Sequence, residues 1–94
     1  MSFGIIDGRV TIYPRPDIAR SEDRTGVDCT GSSGETNRQL VLQQTTIQQQ
    51  GVVVIVNGTV LHQGTGKDYT LSGNVITFLN PIWNEDNIRV IYFV

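Results

Sequence analysis

The residues with the richest chemistry sit together in "VNGTVLHQGTGKDY" (56–69), which holds His62 and Lys67, the sole histidine and lysine of the chain. Gly66-Lys67 suggests a phosphate-binding loop. That loop needs a glycine five residues earlier, a Ser or Thr after the lysine and a helix beyond it. Leu61 and Asp68 occupy those two positions and a strand pattern follows, so the spacing argues for a glycine bend with Lys67 and Asp68 in solvent. His62 would need a nucleophile and an orienting acid for triad chemistry, or further strong ligands for a metal. The hairpin register places it opposite Val53, at a strand end on the surface or at an interface. Cys29 could act as a nucleophile if His62 converged on it. As a lone cysteine beside loop residues it reads as a small, semi-buried hydrophobe. The acidic pairs Glu22-Asp23 and Glu85-Asp86 lack the spacing of a calcium loop and are expected to be solvated. Asn57-Gly58-Thr59 matches the glycosylation sequon, but with no secretion signal it reads as a turn. These residues assign no catalytic, cofactor or metal site, and the chain is expected not to be an enzyme.

Trp83, in the polar connection "PIWNEDN" (81–87), has three uses: capping the fold, anchoring in a partner protein, or stacking on a sugar with Tyr69 as a second platform.

Composition narrows the partners. The chain has 94 residues, 38% hydrophobic and 17% charged, with a net charge of −2. That supports one small domain. No apolar run reaches the roughly 20 residues of a membrane-spanning helix, and "MSFGIIDGRV" lacks the features of a signal peptide. The arginines at 9, 15, 20 and 24 are interleaved with acids rather than gathered in a stripe, so neither nucleic acid nor membrane is expected as a partner. One cysteine excludes an intrachain disulfide.

The elements that must position these residues are strands. "VVVIV" (52–56) runs into Asn57-Gly58, the strongest short hairpin signal, because a type I′ turn needs positive φ at both positions. The resulting register faces Val56 with Thr59, Ile55 with Val60 and Val54 with Leu61. A second loop at Gly73-Asn74 faces Leu71 with Ile76, Tyr69 with Phe78 and Thr70 with Thr77, so that like meets like. The closing strand, "IRVIYFV" (88–94), is apolar on both faces apart from Arg89, which requires a central position or cover by a neighbouring subunit. "NRQLVLQQTTI" (37–47) suits a strand with Gln and Thr outward, and "RVTIY" (9–13) and "VDC" (27–29) are shorter candidates. "PRPDIARSEDRTG" (14–26) reads as extended arm or loop, since Pro14 and Pro16 fix φ and remove donors. "TGSSGETN" (30–37) is a loop. No apolar pattern of helical period is long enough for an ordinary helix. The fold class is all-β, a small antiparallel β-sandwich with an extended N-terminal arm. Residues 1–26 form the arm, with its short strand candidate, and 27–94 the sandwich domain.

Residues 27–94 carry a recurring pattern: an apolar strand (Val52–Val56), Asn57-Gly58, Val60-Leu61, a bend at Gly64, Asp68-Tyr69, a turn at 72–74, Ile76–Phe78, a loop led by Pro81 and a strand through Tyr92. This resembles a small β-sandwich module of tailed-bacteriophage virion proteins, found in head decorations, fibres, necks and tails. The sequence departs from it in "IWNEDN", where that module often has a short Gly-Asp turn. The resemblance implies a non-enzymatic virion protein assembled in the host cytoplasm. It is read foremost as a capsid decoration (cement) protein, a homo-oligomer such as a trimer, bound to the major capsid protein or another virion protein. A tail, neck or fibre-adaptor component and a receptor- or carbohydrate-binding module are the alternatives. Expected partner-contact residues are Ile82 and Trp83 in the Pro-led loop, and Tyr13, Arg15 and Ile18 in the arm.

Overall fold

In the computed structural model, which describes residues 19–94, Asn57 and Gly58 both take positive φ, 51° and 84°. The turn thus has the left-handed backbone that its two residue types favour. It joins strand β3 (Val53–Val56) to β4 (Thr59–Val60) in the expected register, Val56 opposite Thr59 and Ile55 opposite Val60. The second hairpin also holds: β5 (Tyr69–Ser72) and β6 (Val75–Phe78) pair Tyr69 with Phe78, Thr70 with Thr77 and Leu71 with Ile76.

Three more strands complete the set among the described residues: β1 (Ala19–Thr25), β2 (Arg38–Val41) and β7 (Asn87–Phe93). They assemble into two antiparallel sheets, one ordered β1-β7-β3-β4 and the other β2-β6-β5. Sheet packs on sheet as a small all-β sandwich. The period-2 alternation sends Leu40, Ile76, Phe78 and Tyr69 inward from one sheet, and Val54, Ile88, Val90 and Tyr92 inward from the other. Leu42, Ile47, Cys29 and Ile82 close the core from the connections.

Strand β7 is central, flanked by β1 and β3, which accounts for its two apolar faces. The flank comes from a segment that the sequence suggested was arm or loop. Ala19–Thr25 pairs with β7 along seven residues, from Ala19 opposite Phe93 to Thr25 opposite Asn87. Its sequence, ARSEDRT, has no apolar alternation to announce a strand. Partner backbone, not local hydrophobicity, selects its conformation. The strand expected over 37–47 is shorter than its pattern. It stops at Val41, and Leu42 instead exchanges hydrogen bonds with Asn74, backbone N–H to carbonyl at 2.8 Å and Asn74 amide to the Leu42 carbonyl at 3.0 Å. "VDC" is not a strand: Gly26–Asp28 forms a single 3₁₀ turn, with Asp28 accepting a hydrogen bond from the Thr25 N–H at 3.2 Å. The candidate strand at 9–13 lies outside the described residues.

Candidate functional site

At one pole of the sandwich lies a residue whose burial the sequence reading did not anticipate. Arg38 opens β2 in phase with Leu40, so its side chain turns inward and is 2% exposed. A buried cation must have its donors satisfied or it destabilises the fold. Arg38 meets that need with neutral acceptors. Nε donates to the Thr30 carbonyl at 2.7 Å, and Nη1 donates to the Ile82 carbonyl at 2.7 Å. Nη2 donates to the Gly26 carbonyl at 2.8 Å, the Asn84 Oδ1 at 3.0 Å and, more weakly, the Cys29 carbonyl at 3.4 Å. One planar guanidinium thereby ties the 3₁₀ turn, the chain after it and the 81–87 loop into one unit.

That unit carries Trp83. The loop is clamped from several sides. Asp86 accepts from the Trp83 N–H at 2.8 Å and from the Asn57 side chain at 2.9 Å, and the Asp86 carbonyl accepts from the Gly26 N–H at 3.0 Å. Ser33 Oγ accepts from the Asn84 N–H at 2.8 Å, and the Ile82 carbonyl accepts from the Gly34 N–H at 2.8 Å. Two glycines let the chains approach this closely. A Cβ on Gly26 would stand 1.9 Å from the Trp83 carbonyl oxygen. A Cβ on Gly34 would stand 2.6 Å from the indole Cζ3, and Gly34 also has φ of 86°. The indole therefore lies against the Gly34 backbone with 53% of the residue still exposed. Val27, on the adjoining 3₁₀ turn, is likewise exposed. A fixed aromatic with an open surface costs little conformational entropy when it makes a contact.

The second surface is the outer face of the four-stranded sheet. Register puts Val53 and Ile91 side by side, Ile55 beside Arg89 and Val60, and Phe93 at the end of β7. Val53, Ile91, Ile55 and Phe93 are half-buried, and Arg89 and Val60 are exposed. Asp23 and Arg89 cross this face as a bidentate ion pair at 2.7 and 3.1 Å. The Arg89 hydrogen bond holds the Asp23 carboxyl below its ordinary range, and the same bond raises Arg89. Beside the pair lies an open concavity of about 500 Å³, lined by Asp23, Thr25, Ile55, Gly58, Asn87 and Arg89 among others. The corresponding face of the other sheet is mostly polar, with Gln39, Thr77 and Thr70 in one row.

Between the sheets, Glu22 is 6% exposed and is not solvated as expected. Its carboxylate accepts from the Tyr92 hydroxyl, from Arg24 Nη1 at 2.6 Å and from the Gln43 N–H at 2.9 Å. Burial, reinforced by the hydrogen bond to Glu22, pushes the Tyr92 phenol up to about 12. Asp23, its neighbour, points the other way into the ion pair already described.

The histidine region is scaffold. The β3–β4 ladder ends at Val60, so His62 does not stand opposite Val53. Its N–H donates to Asp68 Oδ2 at 2.8 Å, and its carbonyl accepts from the Asp68 N–H at 2.9 Å. Asp68 is a staple rather than a solvated leftover, because its other carboxylate oxygen also accepts from Asn80 at 3.3 Å. Gly64 and Gly66 make the bend, closed by a Lys67 N–H to Gly64 carbonyl bond of 3.0 Å. Burial raises the Cys29 thiol above its ordinary value, the wrong direction for a nucleophile. Among the described residues no group of three His, Cys, Asp or Glu side chains could hold a metal ion, and no helix is long and apolar enough to cross a membrane.

Of the expected contact residues, Trp83 stands on the surface. Ile82 does not: it is 4% exposed and belongs to the core, since alternation along the loop turns it inward beside Arg38. Tyr69, expected as a second stacking platform, is 1% exposed and also belongs to the core. Tyr13, Arg15 and Ile18 lie outside the described residues. Arg38 was legible in one respect, as the inward member of the alternation Arg38, Leu40, Leu42; Glu22 carried no comparable signal. Comparison with protein-family models, with curated proteins and with solved structures finds no match.

Proposed function

We propose that the protein is a structural subunit of a bacteriophage virion, foremost a decoration protein that binds the head lattice and stabilises it. The resemblance of residues 27–94 to virion sandwich modules supplies the context. The observation that carries the assembly reading is the outer face of the β1-β7-β3-β4 sheet. It combines Val53, Ile55, Val60, Ile91 and Phe93 with an ion pair, whereas the outer face of the other sheet presents Gln39, Thr70, Ser72 and Thr77 with a single valine pair, Val41 and Val75. An apolar band gathered mainly on one face of a small domain is a surface that a protein contact could cover. Trp83, pinned by its loop, is a second contact point of the kind that dominates interface energies. Packing between copies, and against the major capsid protein or another virion component, removes this surface from water at many equivalent places. No catalytic step is assigned. The test is to add purified protein to particles lacking it and measure saturable binding and resistance to heat. Binding that saturates at lattice stoichiometry and raises the disruption temperature supports the reading, and absence of binding refutes it.

A carbohydrate-binding module is the second reading, favoured by the half-exposed indole. With Tyr69 buried it rests on one stacking surface. Saturable binding on a glycan array, lost in Trp83→Ala, would replace lattice attachment as the leading function.

A further inference from the structure

The Asn57-Gly58 turn carries a chemistry besides its geometry. In an Asn-Gly pair the glycine backbone nitrogen can attack the side-chain carbonyl carbon of the asparagine, because no Cβ hinders the approach. The new N–C bond closes a cyclic imide, and the amide nitrogen leaves as ammonia. Water then opens the ring at one of its two carbonyls. The product is aspartate, or isoaspartate with the chain rerouted through the side chain. The net change is one amide and one water for one carboxylate and one ammonium ion.

The structure exposes the nucleophile of that reaction and restrains its electrophile. Asn57 and Gly58 are both exposed. A Cβ on Gly58 would meet nothing within 4 Å, and Gly58 lines the open concavity beside Asp23 and Arg89. Among the described residues the Gly58 N–H donates to no backbone carbonyl. The Asn57 amide, by contrast, is held at both ends. Its Nδ2 donates to Asp86 Oδ1 at 2.9 Å, and its Oδ1 accepts from the Asn87 N–H at 2.8 Å. Both bonds must break before the side-chain carbon can turn onto the Gly58 nitrogen.

The residue that holds this amide also holds the tryptophan. Asp86 accepts from Asn57 with one carboxylate oxygen and from the Trp83 N–H with the other, at 2.8 Å. Conversion of Asn57 would put an acceptor where a donor stood, and a negative charge within a hydrogen-bond length of another. Two carboxylates so placed repel each other. Displacing Asp86 relieves the repulsion and takes the Trp83 contact with it.

We propose that Asn57 is a deamidation site gated by the fold. It is closed while Asp86 and Asn87 hold the amide, reacts from the opened hairpin, and unlatches the Trp83 loop once converted. The change needs only water and runs one way. The inference goes beyond the assembly reading and is independent of it, because every measurement below uses the purified protein.

The test follows conversion by mass spectrometry of the peptide that holds residue 57, in mildly alkaline buffer, with the protein folded and unfolded in denaturant. Conversion should be at least about tenfold slower in the folded protein, since only the opened fraction reacts. Asp86→Ala removes one of the two holds, so it should speed conversion in the folded protein and leave the unfolded rate unchanged. Asn57→Asp stands in for the product and keeps a residue that tolerates positive φ. It should lower both the unfolding midpoint and the fluorescence anisotropy of Trp83. Exchanging the two side chains, Asn57→Asp with Asp86→Asn, restores a donor and an acceptor across the contact and should recover both readings. If Asp86→Ala does not unfold cooperatively, the parent's folded-to-unfolded ratio decides the gate, and the exchange decides the latch. Conversion as fast in the folded protein as in the unfolded, or in neither, would overturn the proposal. So would a folded rate indifferent to Asp86→Ala, an Asn57→Asp protein that matches the parent, or an exchange that recovers nothing.

Discussion

Replacing Arg38 by methionine should cost the fold about 2–3 kcal/mol and loosen Trp83 at the same time. The magnitude follows from what the substitution leaves behind. The Gly26 and Ile82 carbonyls keep a backbone donor each, from Cys29 and Gly34. Among the described residues the Thr30 and Cys29 carbonyls have no backbone donor, so the loss of Arg38 strands one buried acceptor, the Cys29 carbonyl, and two part-buried ones, the Thr30 carbonyl and Asn84 Oδ1, together about 2–3 kcal/mol. Removing a buried charge returns part of its desolvation cost, and the methionine stem keeps most of the packing, which holds the total near that sum. For a domain of this size it corresponds to a fall in Tm of roughly 10–20 °C. Arg38→Lys keeps the charge but not the planar fork, so it should fall between the two. The assay is chemical denaturation followed by Trp83 fluorescence, with thermal unfolding by circular dichroism as a check. The indole should also become more mobile in the folded variant, visible as lower fluorescence anisotropy. An Arg38→Met protein within about 0.5 kcal/mol of the parent, with unchanged anisotropy, would refute the role given to this residue.

Other perturbations probe the same structure. Gly26→Ala sets a Cβ against the Trp83 carbonyl backbone and should destabilise by about 3 kcal/mol, read by denaturant midpoint. Gly34→Ala sets a Cβ against the indole and must hold a φ of 86°, so it should both shift the Trp83 emission maximum and destabilise the fold by about 1–2 kcal/mol. Tyr92 keeps its proton up to a pKa of about 12 in the fold and titrates near 10 when unfolded. Its stabilisation is therefore fully present below pH 10 and is lost as pH rises toward 12, by up to about 2–3 kcal/mol. Denaturant titrations at pH 9 and pH 11.5, for the parent and for Tyr92→Phe, should show the steeper fall in the parent. Trp83→Ala should weaken particle binding while leaving the unfolding midpoint nearly unchanged, since half the residue is already in solvent.

The two hairpins were legible because the turn residues and cross-strand pairs agree from Ile55 to Val60 and from Tyr69 to Phe78. The central place of β7 was legible because a strand apolar on both faces needs cover on both. Strand β1 was not: ARSEDRT lacks alternation, and its one inward acid, Glu22, is accommodated by Tyr92, seventy residues away. The pole around Trp83 was half legible. The loop and its aromatic could be read from "PIWNEDN", but its rigidity depends on Arg38, whose five acceptors come from two stretches of chain far apart in sequence, 26–30 and 82–84. No local pattern encodes such a convergence. Inward phase with Leu40 and Leu42 marked the position, and an arginine at such a position is more informative than the leucines around it.

The central claim is that the protein acts by assembling on a virion, and copy number per purified particle, by quantitative mass spectrometry against the major capsid protein, tests it most directly. The account predicts a copy number in fixed proportion to the capsid lattice. A small fixed number would move the protein to the neck, fibre or tail, and its absence from purified particles would contradict the account.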